Sequence, residues 1–212
     1  MFTGIIQEIG TIQTLNKKNK GLTYSVLAPN LSIDAKLGAS ISIDGACQTI
    51  TKIEGETLYF DAIDESLKKT IIGNYKIGSK VHLEPAMQMK DRFDGHIVYG
   101  HIDSTTTVKS ISTIQNRYDI SVYIPDHLIK YTLHGGSICL NGVSLTIYKK
   151  DPNSCSVSLI PETLLRTNFT QLKPGSQINL EVDSIGKWIE SLYQKEKPSS
   201  SLEQSLRSNG FY

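Results

Sequence analysis

The 212-residue chain carries 22 Lys and Arg against 21 Asp and Glu, a formal net charge of +1. That balance gives no basic field to draw it onto phosphate backbones or anionic membranes, so a nucleic-acid partner is not expected. No apolar run approaches the roughly 18 residues of a membrane span, so no membrane segment is expected either.

The opening, Met1-Phe2-Thr3-Gly4-Ile5, lacks the charged and apolar regions of a signal peptide, which predicts a cytoplasmic protein. Short β-branched runs broken by turn residues follow. The stretch 40–51 has Asp44-Gly45 in its middle, and a tight hairpin is the expected result. A short helix fits after Asp64, and Gly78 ends the connection to a further strand. Residues 87–94 read as a polar linker. A second hairpin is predicted over 137–148 around Asn141-Gly142, and a second short helix at Pro161, where proline suits a first turn. From Ile185 the period changes: Ile185, Trp188, Ile189, Leu192 and Tyr193 make one stripe of an amphipathic helix that Pro198 stops. The Ser-rich remainder, 198–212, is expected to be mobile.

Two halves of this pattern are one pattern. Residues 38–50, GASISIDGACQTI, lie over 135–147, GGSICLNGVSLTI, and the register holds through 76–84 against 173–181. Shifted by one residue, 3–7 matches 99–103. A repeat of about 90 residues is large enough for its own core. Strands at regular spacing within each copy suggest a small closed antiparallel barrel, because closure removes exposed sheet edges. The expected division is 1–94 and 95–184 for the two domains, 185–197 for an oligomerisation helix and 198–212 for a tail.

Cys47, Cys139 and Cys155 are an odd number without a CxxC pair, which argues against a disulfide framework and a thiolate metal site. The string GHIVYGH over 95–101 sets His96 and His101 five apart, the one place where a zinc reading has any footing; no metal is expected.

The repeat, the opening Met1-Phe2-Thr3-Gly4-Ile5, the string 95–103, Asn141-Gly142-Val143-Ser144-Leu145-Thr146 and Ile160-Pro161-Glu162-Thr163-Leu164, in this order, resemble the riboflavin synthase family over residues 1 to about 193. The resemblance implies a mainly β fold: two tandem homologous six-stranded antiparallel Greek-key-type barrels with short helices, followed by a C-terminal amphipathic helix that forms a homotrimer. It implies dismutation of two 6,7-dimethyl-8-ribityllumazine molecules by transfer of a four-carbon unit, giving riboflavin and 5-amino-6-ribitylaminouracil, without metal or organic cofactor. Lumazine synthase is a candidate partner. The rival reading is a non-catalytic lumazine or flavin carrier, such as the antenna proteins that resemble the same duplicated fold. Cys47, His101 and the intact 141–146 hairpin favour the enzyme.

Orientation of two bound reactants supplies about 7–11 kcal/mol, whereas one acid-base group gives about 10²–10⁴-fold. Positioning should therefore dominate, with the chemical groups placed where the copies differ. Cys47 stands opposite Ser144, Ile5 opposite His101, and Phe2 opposite Val98. By resemblance, Ser40, Cys47 and His101 match the family's catalytic residues, with Thr146 and Asp183 supplied by the second copy. Cys47 is assigned as nucleophile or proton-transfer group near C7 of one lumazine, which needs thiolate character because a free thiol has a pKa of about 8.5. The alternative is a small core cysteine. His101 is the candidate base for the C7 methyl of the other lumazine, or else a strand histidine satisfied by backbone. Ser40 is a donor or a plain strand serine.

The expected binding residues are Phe2, Gly4, Ile5, Ile6, Cys47, Gln48 and Thr49, then Asp61, Ala62, Ile63, Asp64, Glu65 and Ser66. The second copy adds Gly100, His101, Ile102, Gly135, Ser144, Leu145 and Thr146, with Ile160, Pro161, Glu162, Thr163, Leu164 and Leu165. Strand and helix-start amides with hydroxyls suit a uracil-like ring and a ribityl chain. Gly4 and Gly100 are expected to let the backbone approach the ring closely. The segment Leu133-His134-Gly135-Gly136 departs from the family, many members of which carry a lysine there.

Overall fold

The computed structural model describes residues 1–19, 21–114, 117–196 and 208–209. Apart from 208–209, the tail expected over 198–212 lies outside the described residues.

The first repeat folds into β1 (Glu8–Lys18), β2 (Gly21–Leu27), β3 (Ser40–Ile43), β4 (Ala46–Glu54), β5 (Thr57–Ile63) and β6 (Lys80–Pro85). They close into an antiparallel barrel in the order β1-β2-β5-β4-β3-β6. The second repeat gives β7 (Ser104–Ile114), β8 (Arg117–Tyr123), β9 (Ser137–Leu140), β10 (Val143–Asp151), β11 (Ser154–Leu159) and β12 (Gln177–Val182), closed in the matching order β7-β8-β11-β10-β9-β12. The expected pair of six-stranded barrels is what forms.

Alternation explains the strands. Ile41, Ile43, Ala46 and Ile50 enter the first core, while Ser40, Cys47 and Thr49 stand on the outer face. The predicted hairpins turn at Asp44-Gly45 and Asn141-Gly142, whose φ values are 46° and 84°, and 45° and 82°. Both central residues of a type I′ turn need positive φ, which Asp-Gly and Asn-Gly tolerate. Register shifts between Ile12 and Thr14 and between Ile50 and Lys52 recur between Val108 and Ser110 and between Ile147 and Lys149. Such bulges add the local curvature that a small closed barrel requires.

The predicted short helices are α1 (Asp64–Lys69) and α2 (Pro161–Arg166). Each leads into a 3-10 turn whose fully buried residue, Ile72 or Phe169, joins the core of its barrel. Fully burying such a side chain contributes about 1.5–3 kcal/mol. The last helix, α3 (Ser184–Glu196), is tied down by Lys187 on Asp103 at 2.7 and 2.9 Å and by Glu190 on Lys130 and Tyr131. Its expected stripe of Ile185, Trp188, Ile189, Leu192 and Tyr193 faces outward, each residue half or more exposed.

The barrels exchange their leading segments. Ile6 is buried in the core of the second barrel, and Ile102 packs against that of the first. Phe2 and Val98 bridge between them, Phe2 N–H donating to the Val98 carbonyl at 2.7 Å and Val98 N–H returning the bond at 3.1 Å. Phe2, Val98 and Cys139 make a small buried core of their own.

The polar contacts across the joint are reciprocal. His82 Nδ1 donates to the Asn141 carbonyl at 2.8 Å, and its counterpart Asn179 donates through Nδ2 to the Asp44 carbonyl at 2.8 Å. Asn168 N–H donates to His82 Nε2 at 2.9 Å, and Ile71 N–H to Asn179 Oδ1 at 2.8 Å. A carbonyl on one nitrogen and an amide on the other fix His82 as the neutral Nδ1–H tautomer, and burial holds its pKa down to about 4. Asp44 accepts from His82 N–H and from the Tyr75 hydroxyl, yet burial pushes its carboxyl up to about 7.

Candidate active site

On the first barrel, β3 and β4 pair Ser40 with Thr49 and Ser42 with Cys47, so Ser40, Cys47 and Thr49 share one outer face. Cys47 N–H donates to the Gly100 carbonyl at 2.9 Å. Glu181, on β12, holds the same turn by accepting from Tyr99 N–H at 2.7 Å and Gly100 N–H at 3.0 Å. Burial pushes the Glu181 carboxyl up to about 7 against those two bonds. The residue after this turn, His101, is exposed, its ring stacked on Tyr99 with centroids 6.0 Å apart. Tyr99 in turn meets Trp188 of α3 edge-on at 6.0 Å. A cavity of about 330 Å³ opens here, lined by Tyr99, His101, Glu181, Ser184, Lys187 and Trp188. Of the expected catalytic residues, His101 lines this cavity, whereas Ser40 and Cys47 lie on the β3–β4 face and are tied to the same turn through the Cys47 amide.

Next to β4, β5 presents Asp61 and Ile63 outward and leads into Asp64, Glu65 and Ser66 of α1. The Thr23 hydroxyl, then Lys18, holds the Asp61 carboxyl below its usual range. Glu65 pairs with Lys69 at 3.0 Å.

The second barrel repeats the construction with other side chains. Ser144 N–H donates to the Gly4 carbonyl at 2.8 Å, and Glu84 holds Thr3 N–H and Gly4 N–H at 2.7 and 3.0 Å. Thr146 lies opposite Ser137 on the same outer face, and Ile5 occupies the place of His101. Asp183 follows β12 and accepts from Ile185 N–H at 3.0 Å, opening α3. Ile160, Pro161, Glu162 and Leu165 are exposed around α2, Thr163 is half-buried, and Leu164 packs against the second core. Gly135 is exposed in the loop before β9.

Some expected contacts are relocated. The side chains of Ile6, Ala62 and Leu145 lie in barrel cores, and Ile102 packs against one, so only their main chains face outward. Phe2 is fully buried and Gln48 nearly so, its Nε2 folding back onto the Cys47 carbonyl at 2.8 Å. The close approach expected at Gly4 and Gly100 is made to protein: a β-carbon there would fall 2.6 Å from Ser144 Cβ or 2.7 Å from Cys47 Cβ.

Sequence reasoning missed the two glutamates that hold these turns, although their recurrence at 84 and 181 is visible in the repeat. It also took His96 only as half of a zinc pair, whereas its Nδ1 lies 2.7 Å from Ser144 Oγ. Among the described residues no three His, Cys, Asp or Glu side chains gather as a metal site, and no helix is long and apolar enough to cross a membrane.

Two barrels of one topology, each completed by its neighbour and each presenting an outward hairpin face, are two copies of one domain: the profile of the lumazine binding domain matches residues 3–86 and again 99–183. Over its full length the chain is 38% identical to the riboflavin synthase of Actinobacillus pleuropneumoniae and 35% identical to that of Bacillus subtilis (strain 168), covering 100% of each. The chain belongs to the riboflavin synthase family. Its fold is also similar to that of LumP complexed with riboflavin, with TM-score 0.80, 27% identity and coverage of 86% of this chain and 99% of that one. LumP complexed with 6,7-dimethyl-8-(1'-D-ribityl) lumazine gives TM-score 0.78 at the same identity and coverage.

Proposed function

We propose that the chain converts two molecules of 6,7-dimethyl-8-ribityllumazine into riboflavin and 5-amino-6-ribitylaminouracil. One molecule gives up a four-carbon unit and the other accepts it. The observation that carries this reading is that equivalent faces of the two barrels hold different groups, Cys47 with His101 on the first and Ser144 with Ile5 on the second. One kind of site in two copies suits two molecules of one compound, and unequal chemistry suits unequal roles. Cys47 acts as nucleophile or proton-transfer group near C7 of one lumazine, and His101 as base for the C7 methyl of the other. Ser40 donates a hydrogen bond, with Thr146 and Asp183 serving from the second copy. The substrate-binding set is that predicted from the sequence, with the cored side chains acting through their main chains.

The chain acts in the cytoplasm as domains 1–94 and 95–184, without metal or organic cofactor. It assembles as a homotrimer through the outward stripe of α3, and lumazine synthase is a candidate partner. The exposed apolar stripe supports assembly, and truncation before Ser184 should lower the oligomer mass in light scattering.

The test is to incubate purified protein with the lumazine alone, with and without chelator, and to separate flavin from lumazine by chromatography over time. Riboflavin formed in both supports the reading. Tight binding without flavin favours a carrier, the alternative that the likeness to ligand-bound LumP supports. Loss of turnover with chelator overturns the metal-free mechanism.

A further inference from the structure

The string between the barrels does more than connect them. Gly95 and His96 are wedged between the opening segment and the hairpin of the second barrel: His96 N–H donates to the Thr3 carbonyl at 3.1 Å. The β-carbon of any other residue at 95 would fall 1.9 Å from that same oxygen. His96 is only 7% exposed, with Nδ1 on the Ser144 hydroxyl at 2.7 Å. Its Nε2 is buried and has no hydrogen-bond partner among the described residues. Such an orphan is destabilising, so a leucine of similar size would fill the place more cheaply unless the Ser144 contact matters. The equivalent face of the first barrel carries Cys47, to which no histidine is hydrogen-bonded among the described residues.

The orphan also orients the pair. Burial lowers the pKa of His96, with the charge of Asp183 opposing it, which favours the neutral ring with a single proton. A buried N–H without an acceptor is rarer than a lone pair without a donor, which places the proton on Nδ1. Nδ1–H then donates to Ser144 Oγ, and the Ser144 hydroxyl hydrogen is left for another acceptor. Ser144 is half-buried at the outer face, beside Gly4 and in line with Thr146.

We propose that His96 is a positioning residue of the second site, fixing the Ser144 hydroxyl as a hydrogen-bond donor to a carbonyl or ribityl oxygen of the bound lumazine. The proposal rests on the lumazine reading given above. It makes the two sites differ in a second way: the hydroxyl of one is held by a dedicated imidazole, and the thiol of the other is not.

The test titrates 6,7-dimethyl-8-ribityllumazine against wild type, His96→Leu, His96→Asn, Ser144→Ala and the double variant His96→Leu/Ser144→Ala, with steady-state kinetics alongside. Wild type should bind two equivalents. His96→Leu and Ser144→Ala should each weaken one binding step about tenfold and leave the other unchanged, raising KM far more than they lower kcat. The double variant should be no weaker than Ser144→Ala, and His96→Asn, whose amide can donate from near the Nδ1 position, should recover most of the loss. Additive losses, an unaffected His96→Leu, or an asparagine no better than leucine would each overturn the proposal. Should the leucine variant fail to fold, His96→Asn against His96→Asn/Ser144→Ala decides, with near-equal binding in the presence and absence of Ser144 overturning it. Wild type that binds no lumazine defeats the functional reading itself, a result distinct from normal wild-type binding with unaffected variants.

Discussion

Gly45 and Gly142 meet main chain to main chain, so that a β-carbon on either would lie 2.7 Å from the other's amide nitrogen. Both hold positive φ, so alanine there meets strain and a collision together. Gly45→Ala and Gly142→Ala should each cost about 2–4 kcal/mol. Gly55→Ala, at positive φ with nothing near its β-carbon, should cost only about 1–2 kcal/mol. Equilibrium urea denaturation makes the comparison, and equal losses at all three positions would refute the contact.

The buried pair Asp44 and His82 predicts a pH signature. With its carboxyl at about 7 instead of 3.8, native Asp44 keeps a proton the unfolded chain has lost, so its contribution to stability falls as pH rises between those values. With its imidazole at about 4 instead of 6.5, His82 refuses a proton the unfolded chain binds, so its contribution rises with pH between those values. The two slopes oppose each other across the acid range. Asp44→Asn removes the falling one, and asparagine already serves at the matching Asn141, whose Oδ1 accepts from Asn179 N–H at 2.7 Å. The variant should gain stability with pH through the His82 window and exceed wild type above neutrality by about 1–3 kcal/mol. A loss of equal size at every pH, measured by urea melts, would contradict this.

Cys47→Ser and His101→Gln should reduce kcat by about 100-fold or more while changing lumazine affinity less than about threefold, since these residues are proposed to act on reacting atoms. Ser144→Ala should show the reverse split. Single-turnover flavin formation and ligand titration give the two numbers, and parallel changes in both would remove the distinction between the sites.

The exchanged segments bear on the isolated first repeat. Residues 1–94 alone lose Ile102 from the first core and leave Ile6 without the second. Two copies can repair this by placing each Ile6 where Ile102 sits and each Gly4 carbonyl on the other's Cys47 amide. The fragment should therefore behave as a dimer whose melting temperature rises with concentration. A stable monomer at micromolar concentration in light scattering would exclude the exchange.

The strands and hairpins were legible because their signals are local: alternation along 40–43 and 46–50, with Asp-Gly or Asn-Gly between. The same alternation turns Leu145, between Ser144 and Thr146, inward, although it was expected among the binding residues. What the sequence hid is which barrel receives which residue. Ile6 and Ile102 were expected among the binding residues, and only the closed structure shows that the side chain of each goes to the other's barrel. Cys47 and His101 lie in different repeats, and nothing in their spacing links them; the structure shows that Glu181 holds the turn at Gly100, which bonds the Cys47 amide and precedes His101. His96 stayed hidden because its partner, the Ser144 hydroxyl, is distant in sequence and ordinary in composition.

The crossing of Phe2 to Ile6 with Val98 to Ile102 has the form of a self-complementary contact between two identical chains, written into one. In such a pair every mutation lands twice, and a change that favours one role is forced on the other. Joined in a single gene, the copies are inherited together but vary separately. The differences between Cys47 and Ser144, Asp44 and Asn141, and His82 and Asn179 are ones that a pair of identical chains has no way to carry on one side alone. The joint keeps its reciprocal bonds even where its residues differ, His82 against Asn179 and Asp44 against Asn141, and the faces it supports differ further.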